Sequence, residues 1–210
     1  MHFDLTEDQR EIKRVARELL AARSGWAQVR AAAEAGAAYD EALWAELCGL
    51  GWPGIAVAEE HGGQGLGAVA LAVLLEELGY ACAATPFLSS AVAAAAIQAN
   101  GSEDARSRWL PALATGAATA GVGTRELCAD GAGADVLVLL DGDEAALVTG
   151  ADATPLETID PTRRYARVVG GTAEPLGAAA AQRVRAAVAA EVVGVAQRAL
   201  EMTLEYVKER

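Results

Sequence analysis

Apolar residues recur every three or four positions through most of the first 116 residues, which is the spacing of one face of an α-helix. Thr6 and Gln9 precede the first of these runs and predict a capping box at its start. Residues 67–78 are apolar on nearly every side, so they predict a buried helix that ends at Gly79. Further helix starts are predicted at residues able to cap an N-terminus, namely Asp40, Ser89 or Ser90, and Ser102. Residues 1–116 are therefore predicted to form an all-α domain.

After Gly116 the pattern changes to short segments rich in residues that favour strands. These segments are 119–124, 136–140, 145–148 and 166–169. Asp141 and Gly142 form a hairpin signal between the second and third segments. Residues 154–159 are a weaker candidate for an additional strand. The whole stretch predicts a small middle β-domain, a barrel or a sandwich, over residues 117–176.

From Gly177 onward, apolar residues return at steps of four and three and form one continuous seam. The seam consists of Val184, Val188, Val192, Val195, Ala199, Met202 and Tyr206. It predicts one helix over residues 177–210, roughly 50 Å long at 1.5 Å per residue. Such a seam is typical of the first long helix of a four-helix bundle, and no stop signal precedes Arg210, so we expect the helix to continue. The predicted fold class is therefore α+β, with helical, β and helical parts in that order.

Composition excludes several classes of function. The net charge is −12 and no basic cluster is present, which argues against nucleic acid and against anionic membrane surfaces as partners. Residues 78–102 lack charge, but Pro86 and several polar residues interrupt them, so they predict a buried helix rather than a membrane span. Cys48, Cys82 and Cys128 lie far apart, and only two histidines occur, which excludes a zinc site by spacing. Scattered thiols and the lack of a visible secretory signal predict a cytoplasmic protein.

A series of short motifs follows a fixed order between Trp44 and Leu113. The motifs are Trp44 with Leu47, Gly51, EEHGGQGLG at 59–67, EELG at 76–79, TPFL at 85–88, and Gly101-Ser102 ahead of RWLP at 108–111. In this order they resemble the amino-terminal helical domain of the acyl-CoA dehydrogenase family. The sequence VGVAQRAL at 193–200, continued to Glu209 and Arg210, resembles the first long helix of the family's carboxy-terminal domain.

This resemblance implies a function and a cofactor. Members of the family oxidise the α–β bond of an acyl-CoA thioester: a glutamate removes the α proton, and FAD takes the hydride. The resemblance implies that Gly123 and Thr124 contact the cofactor and that Arg185 lies near bound CoA. It places one of the family's two positions for the catalytic glutamate at Val184, and valine cannot accept a proton, so no catalytic residue is assigned. It also implies electron-transfer flavoprotein as the electron acceptor.

The middle segment departs from the family pattern, because GTRE at 123–126 keeps only the threonine of the usual Thr-Glu-Pro motif. We therefore expect FAD binding to require more than this chain. A divergent subgroup of the family pairs two dehydrogenase-like subunits around one active site, so a homo- or hetero-oligomer is expected. Two alternatives stay open: a non-catalytic subunit that completes a neighbour's acyl pocket, and a redox-neutral acyl-thioester enzyme on the same scaffold.

Four further residues have competing interpretations. His61, beside the glycine-rich loop, is either a base or a polar loop residue. Glu191 flanks the apolar seam and is either an acid or base, or a carboxylate that faces solvent or a partner arginine. Arg163 and Arg164 follow Asp160-Pro161 and either contact a phosphate of CoA or form a solvated turn.

Overall fold

The computed structural model describes residues 4–34 and 39–210, in which helices precede a small barrel and a long helix follows it. The helices are α1 (Glu7–Arg23), α2 (Trp26–Glu34), α3 (Glu41–Gly49), α4 (Gly67–Tyr80), α5 (Phe87–Asn100), α6 (Glu103–Thr115) and α7 (Gly177–Glu209), with 3₁₀ turns at Trp52–Gly54 and Glu59–His61. The strands are β1 (Ala120–Gly123), β2 (Cys128–Ala129), β3 (Val136–Asp141), β4 (Glu144–Pro155) and β5 (Ala166–Pro175). The predicted α+β fold is confirmed. Residues 1–3 and 35–38 of the predicted first domain lie outside the described residues.

Local sequence signals account for several helix boundaries. Thr6 and Gln9 form the predicted capping box, in which the Thr6 side chain accepts from the Gln9 backbone and the Gln9 side chain accepts from the Thr6 backbone. Asp40 caps α3, and Ser102 caps α6. Helix α2 has no buried residue, which explains why its apolar pattern predicts no element.

Helix α5 lies at the centre of the core, with Phe87 and Ile97 almost fully buried. It begins at Phe87, so the prediction that Ser89 or Ser90 caps its start is wrong. Both serines are completely buried inside the helix and face the barrel. The Ser90 hydroxyl accepts from the Ala120 backbone at 3.1 Å, and Ser89 donates to a barrel residue described below. These serines join the helix to the barrel instead of capping the helix.

The strands close into a barrel in the order β1-β2-β5-β4-β3, with β1 parallel to β3 and the other pairs antiparallel. The predicted hairpin at Asp141 and Gly142 is confirmed, because β3 turns into β4 there. The candidate strand at 154–159 is correct only for its first two residues, since β4 ends at Pro155. Beyond it, a loop over 156–165 is closed by a hydrogen bond from the Leu156 backbone to the Tyr165 carbonyl at 2.9 Å.

Helix α7 crosses α4 at two glycines. A Cβ atom on Gly194 would overlap the Glu76 carbonyl, and a Cβ atom on Gly79 would overlap the Glu191 carbonyl. Gly79 is therefore not the predicted stop of α4, which runs on to Tyr80: its lack of a side chain permits close helix contact instead. Only the inner side of the α7 seam is covered. Val184 is 1% exposed, whereas outer residues of α7 remain 44–60% exposed, namely Val192, Val195, Leu200 and Leu204.

Over the described ranges, no helix is both long enough and apolar enough to cross a membrane.

Candidate functional site

Gly123 and Thr124 lie at the carboxyl end of β1, in a closed turn. The Thr124 backbone donates to the Leu127 carbonyl at 3.0 Å, and the Thr124 hydroxyl accepts from the Leu127 backbone at 3.2 Å. A Cβ atom on Gly123 would overlap the Leu127 carbonyl. The turn itself therefore requires glycine at position 123 and uses most of the hydrogen-bonding groups of Thr124. Its hydroxyl proton is the group that stays available to a ligand.

Arg185 lies in the third turn of α7 and reaches the β3–β4 hairpin. Its guanidinium donates to the Gly142 carbonyl and lies 3.3 Å from the Asp143 carboxylate, with the side chain 45% exposed. Gly123 pairs with Leu139 in the parallel β1–β3 ladder, and β3 ends two residues later. The structure therefore brings the Thr124 turn and Arg185 to the same end of the barrel. Their predicted ligands stay predictions.

Val184 gives the site no proton acceptor. Its side chain is 1% exposed and belongs to the apolar core where α7 meets the rest of the chain. The next carboxylate along α7 is Glu191, which lies two helical turns further on the same face of the helix. Position 184, which the family resemblance marks for the base, therefore offers no proton acceptor.

A buried polar cluster, here called the Asp130 cluster, joins α5, the barrel and α7. It consists of Ser89, Asp130, Arg163 and Glu191. The Ser89 hydroxyl donates to the Asp130 carboxylate at 2.6 Å, and Arg163 pairs with Glu191 at 2.5 Å. The side chains of Arg163 and Glu191 are 15% and 13% exposed. Burial raises the pKa of Asp130, against the opposing effects of Arg163 and the Ser89 hydrogen bond.

These contacts decide between the alternatives that the sequence leaves open for Arg163 and Glu191. Arg163 is neither in a solvated turn nor free for a phosphate, because it pairs with a carboxylate of the same chain inside the protein. Glu191 faces that arginine rather than solvent. Arg164 stays exposed, with its guanidinium 5.2 Å from the centre of the Tyr39 ring. Sequence analysis missed Asp130, whose one local signal is the Asp-Gly pair at a turn, where its φ of 54° is a conformation that aspartate tolerates.

His61 belongs to a tightly closed loop. Its imidazole Nε2 lies 3.7 Å from the Glu60 carboxylate, and its side chain is 16% exposed. The glycine-rich segment after it bonds back to earlier backbone, with Gln64 donating to the Gly54 carbonyl and Gly65 donating to the Val57 carbonyl. The loop therefore uses its backbone donors internally, which agrees with a structural role for it.

Comparison with known proteins identifies the family. The sequence profile for "Acyl-CoA dehydrogenase, N-terminal domain" matches residues 6–117, more than half of the chain. The chain belongs to the acyl-CoA dehydrogenase family.

Relatives match over nearly the whole chain. Acyl-CoA dehydrogenase IpdE2 of Mycobacterium tuberculosis is 34% identical over 208 residues, which cover 97% of this chain and 65% of that protein. Its counterpart in Mycolicibacterium smegmatis is 33% identical over 98% of this chain and 66% of that protein. The chain thus spans about two thirds of the length of these relatives.

Two solved structures show the same fold. A variant of the Tcur3481-Tcur3483 steroid ACAD superposes with a TM-score of 0.78 at 29% identity, over 97% of this chain and 67% of that chain. The ChsE4-ChsE5 complex from Mycobacterium tuberculosis superposes with a TM-score of 0.82 at 22% identity, over 100% of this chain and 69% of that chain. The barrel followed by one long helix is therefore the arrangement found in this family.

The residues of this family member do not fit a flavin held by the chain alone. Of the two residues that the resemblance assigns to the cofactor, Thr124 offers its hydroxyl proton, and Gly123 has no side chain and is required by the turn itself. One hydroxyl cannot hold a dinucleotide, whose pyrophosphate needs several convergent donors. The part of the chain that the structure describes contains no group of three or more histidine, cysteine, aspartate or glutamate residues that could hold a metal ion.

Proposed function

We propose that this chain is one subunit of an acyl-CoA dehydrogenase assembly that carries out FAD-linked α,β-dehydrogenation of an acyl-CoA thioester. The observation that carries the proposal is the family's barrel-and-helix arrangement. At the positions that the family resemblance marks, the described residues offer neither a base nor a set of flavin ligands. Val184 is apolar and buried, and the Thr124 turn is closed on itself. In this proposal the base and most flavin contacts come from outside the described residues, either from further helices or from a second dehydrogenase-like subunit.

The residues of this chain would bind and orient the substrate. Arg185 lies 45% exposed at the end of the barrel, where its guanidinium would contact the phosphates of CoA. Its contacts with the Gly142 carbonyl and with Asp143 hold the side chain at the hairpin. The Thr124 hydroxyl would donate to a cofactor held by the partner. The solved structure named for Tcur3481-Tcur3483 supports a hetero-oligomer of this kind. Electron-transfer flavoprotein as the electron acceptor and a cytoplasmic location are part of the same proposal.

The proposal is tested on the assembly isolated from its natural host. The complex is purified through a tag on the intact protein, and its visible flavin absorbance is recorded before and after addition of short-chain, long-chain and ring-bearing acyl-CoA substrates. We expect bound flavin whose absorbance bleaches with at least one acyl-CoA. A flavin-free complex would refute the proposal. Arg185→Gln should raise KM with little change in kcat, whereas Arg183→Gln, an exposed arginine on the same helix, is the matched control.

A second candidate function is a non-catalytic subunit that completes the acyl pocket of a neighbour. The closed Thr124 turn and the interior Arg163–Glu191 pair support it, because both leave few groups for a ligand. In this case acyl-CoA would raise the melting temperature of the chain, whereas FAD would not. A third candidate, redox-neutral acyl-thioester chemistry, would instead give turnover of an acyl-CoA without any electron acceptor.

A further inference from the structure

A separate pocket opens where α1 ends, between α2, the end of α4 and the middle of α7. Its cavity volume is about 280 Å³, which is close to the lower limit for a small-molecule site. Small-molecule sites in proteins span roughly 300–1,000 Å³ and combine apolar walls with a few convergent polar groups. Neither Thr124 nor Arg185 lines this pocket. We therefore infer the ligand of this pocket from the residues that line it.

One wall of the pocket is apolar and includes a large exposed ring. Trp26 is 59% exposed at the start of α2, while Leu20 beneath it is 1% exposed. Val29, one turn after Trp26, extends the same wall. A half-exposed indole beside an open pocket offers a broad apolar surface to a ring-shaped ligand.

The opposite wall carries two arginines on either side of the Tyr80 ring. The guanidinium carbons of Arg17 and Arg198 lie 3.5 Å and 5.3 Å from the ring centre. Arg17 is paired with a carboxylate, because it makes two hydrogen bonds to the buried side chain of Glu77. The Tyr80 hydroxyl is also engaged, since it donates to Glu201 at 2.5 Å.

Arg198 differs from Arg17. Arg198 donates a hydrogen bond to the Tyr80 hydroxyl at 3.4 Å. Within residues 4–34 and 39–210, no carboxylate lies within ion-pair distance of the Arg198 guanidinium. A guanidinium has five N–H donors, so Arg198 presents several of them to the pocket. Cys82 adjoins Arg198, and burial raises the pKa of its thiol, so this side chain is neutral and does not repel an anion.

We propose that this pocket binds a small ring-bearing carboxylate, with the ring against Trp26 and Leu20 and the carboxylate paired with Arg198. The chemistry follows from the combination of an apolar wall with one guanidinium that has no carboxylate partner among the described residues. Two parallel N–H bonds to a carboxylate are the preferred geometry of arginine. The inference does not depend on the proposed dehydrogenase function.

The test uses 2-naphthoate as probe and equilibrium dialysis of the full chain, read by the fluorescence of the probe. We expect saturable binding, and we expect the uncharged match 2-naphthylmethanol to bind more weakly. Arg198→Gln should weaken 2-naphthoate binding about tenfold to a hundredfold, since hydrogen bonds to charged groups dominate such contacts. Trp26→Ala should weaken binding of both probes about twofold to tenfold.

Arg183→Gln is the matched control, because Arg183 is an exposed arginine of the same helix that does not line this pocket. It should leave naphthoate binding unchanged, and circular dichroism of each variant verifies the fold. Absence of saturable naphthoate binding would overturn the proposal. Equal affinity for both probes, or equal effects of Arg198→Gln and Arg183→Gln, would overturn it as well, because the charge would then play no part.

Discussion

Replacing Arg163 by methionine should destabilise the protein far more than a surface substitution would. The change removes the guanidinium that pairs with Glu191, whose side chain is 13% exposed, and that acts electrostatically on Asp130, which is 8% exposed. Removing one partner of a buried pair costs about 3–5 kcal/mol, because the remaining charge stays buried without compensation. We expect a loss in this range for Arg163→Met, which is a large fraction of the stability of a typical domain.

A double-mutant cycle separates the interaction free energy between Arg163 and Glu191 from the other effects of the substitutions. Glu191→Leu leaves Arg163 with the electrostatic effect of Asp130, so its cost should be smaller, about 1–3 kcal/mol. The double variant should cost less than the sum of the single variants by about 1–3 kcal/mol, since residues in contact couple. The control cycle is Arg167→Met with Glu126→Leu, a barrel pair at 3.1 Å whose side chains are 58% and 80% exposed. Its coupling should stay within about 0–1 kcal/mol.

The free energies of both cycles are measured by urea unfolding. Circular dichroism reports on the helices and the barrel together, and tryptophan fluorescence is the second signal. All four tryptophans precede the barrel in sequence, so the two signals separate unfolding of the helical part from loss of the whole structure. If Arg163→Met loses less than about 1 kcal/mol, or if its coupling to Glu191 equals that of the control pair, the reasoning from burial is refuted.

Three further predictions concern other contacts. Gly194→Ala should destabilise by about 1–3 kcal/mol in a thermal melt, because its Cβ atom meets the Glu76 backbone, whereas Gly49→Ala, with open space around it, should be neutral or stabilising. Burial raises the folded-state pKa of Asp130. The stability that Asp130 contributes is therefore full below its unfolded pKa and is lost as the pH rises through its folded pKa. Urea unfolding should show that Asp130→Asn is most costly near pH 4 and less costly near pH 8. Thr6→Ala should lower the midpoint of urea unfolding by the equivalent of about 0.5–2 kcal/mol, since the Gln9 backbone loses the Thr6 hydroxyl as its acceptor.

Sequence reasoning succeeded where neighbouring residues determine the structure. The Thr6–Gln9 capping box spans three positions, and the hairpin at Asp141 and Gly142 is fixed by its own turn residues. It failed where distant segments meet. Ser89 before a helical run has the same local signal as an N-cap, and only its contact with Asp130, 41 positions away, reveals a different role. Gly79 resembles a helix stop for the same reason, because the close approach of α7 is invisible in its local sequence.

The candidate site was predictable to a similar degree. The sequence correctly predicts the long helix that carries Arg185. The contact of Arg185 with the β3–β4 hairpin depends on how that helix approaches the barrel. The pairing of Arg163 with Glu191 joins a loop and a helix 28 positions apart. Neither partner carries a sequence signal for the other, so burial could not be distinguished from solvation before the structure.

Contacts near the middle of α7 fix its position, in addition to those near its start. Glu191 pairs with Arg163 of the barrel loop, and Gly194, three residues later, touches the backbone of α4. A helix held by an ion pair and by direct backbone contact within one turn can neither rotate nor slide without breaking one of them. Arg185 and Arg198 stand on either side of this point, about 20 Å apart at 1.5 Å per residue. The described chain thus sets the direction of α7, while its outer apolar residues stay available to the helices that the proposed assembly requires.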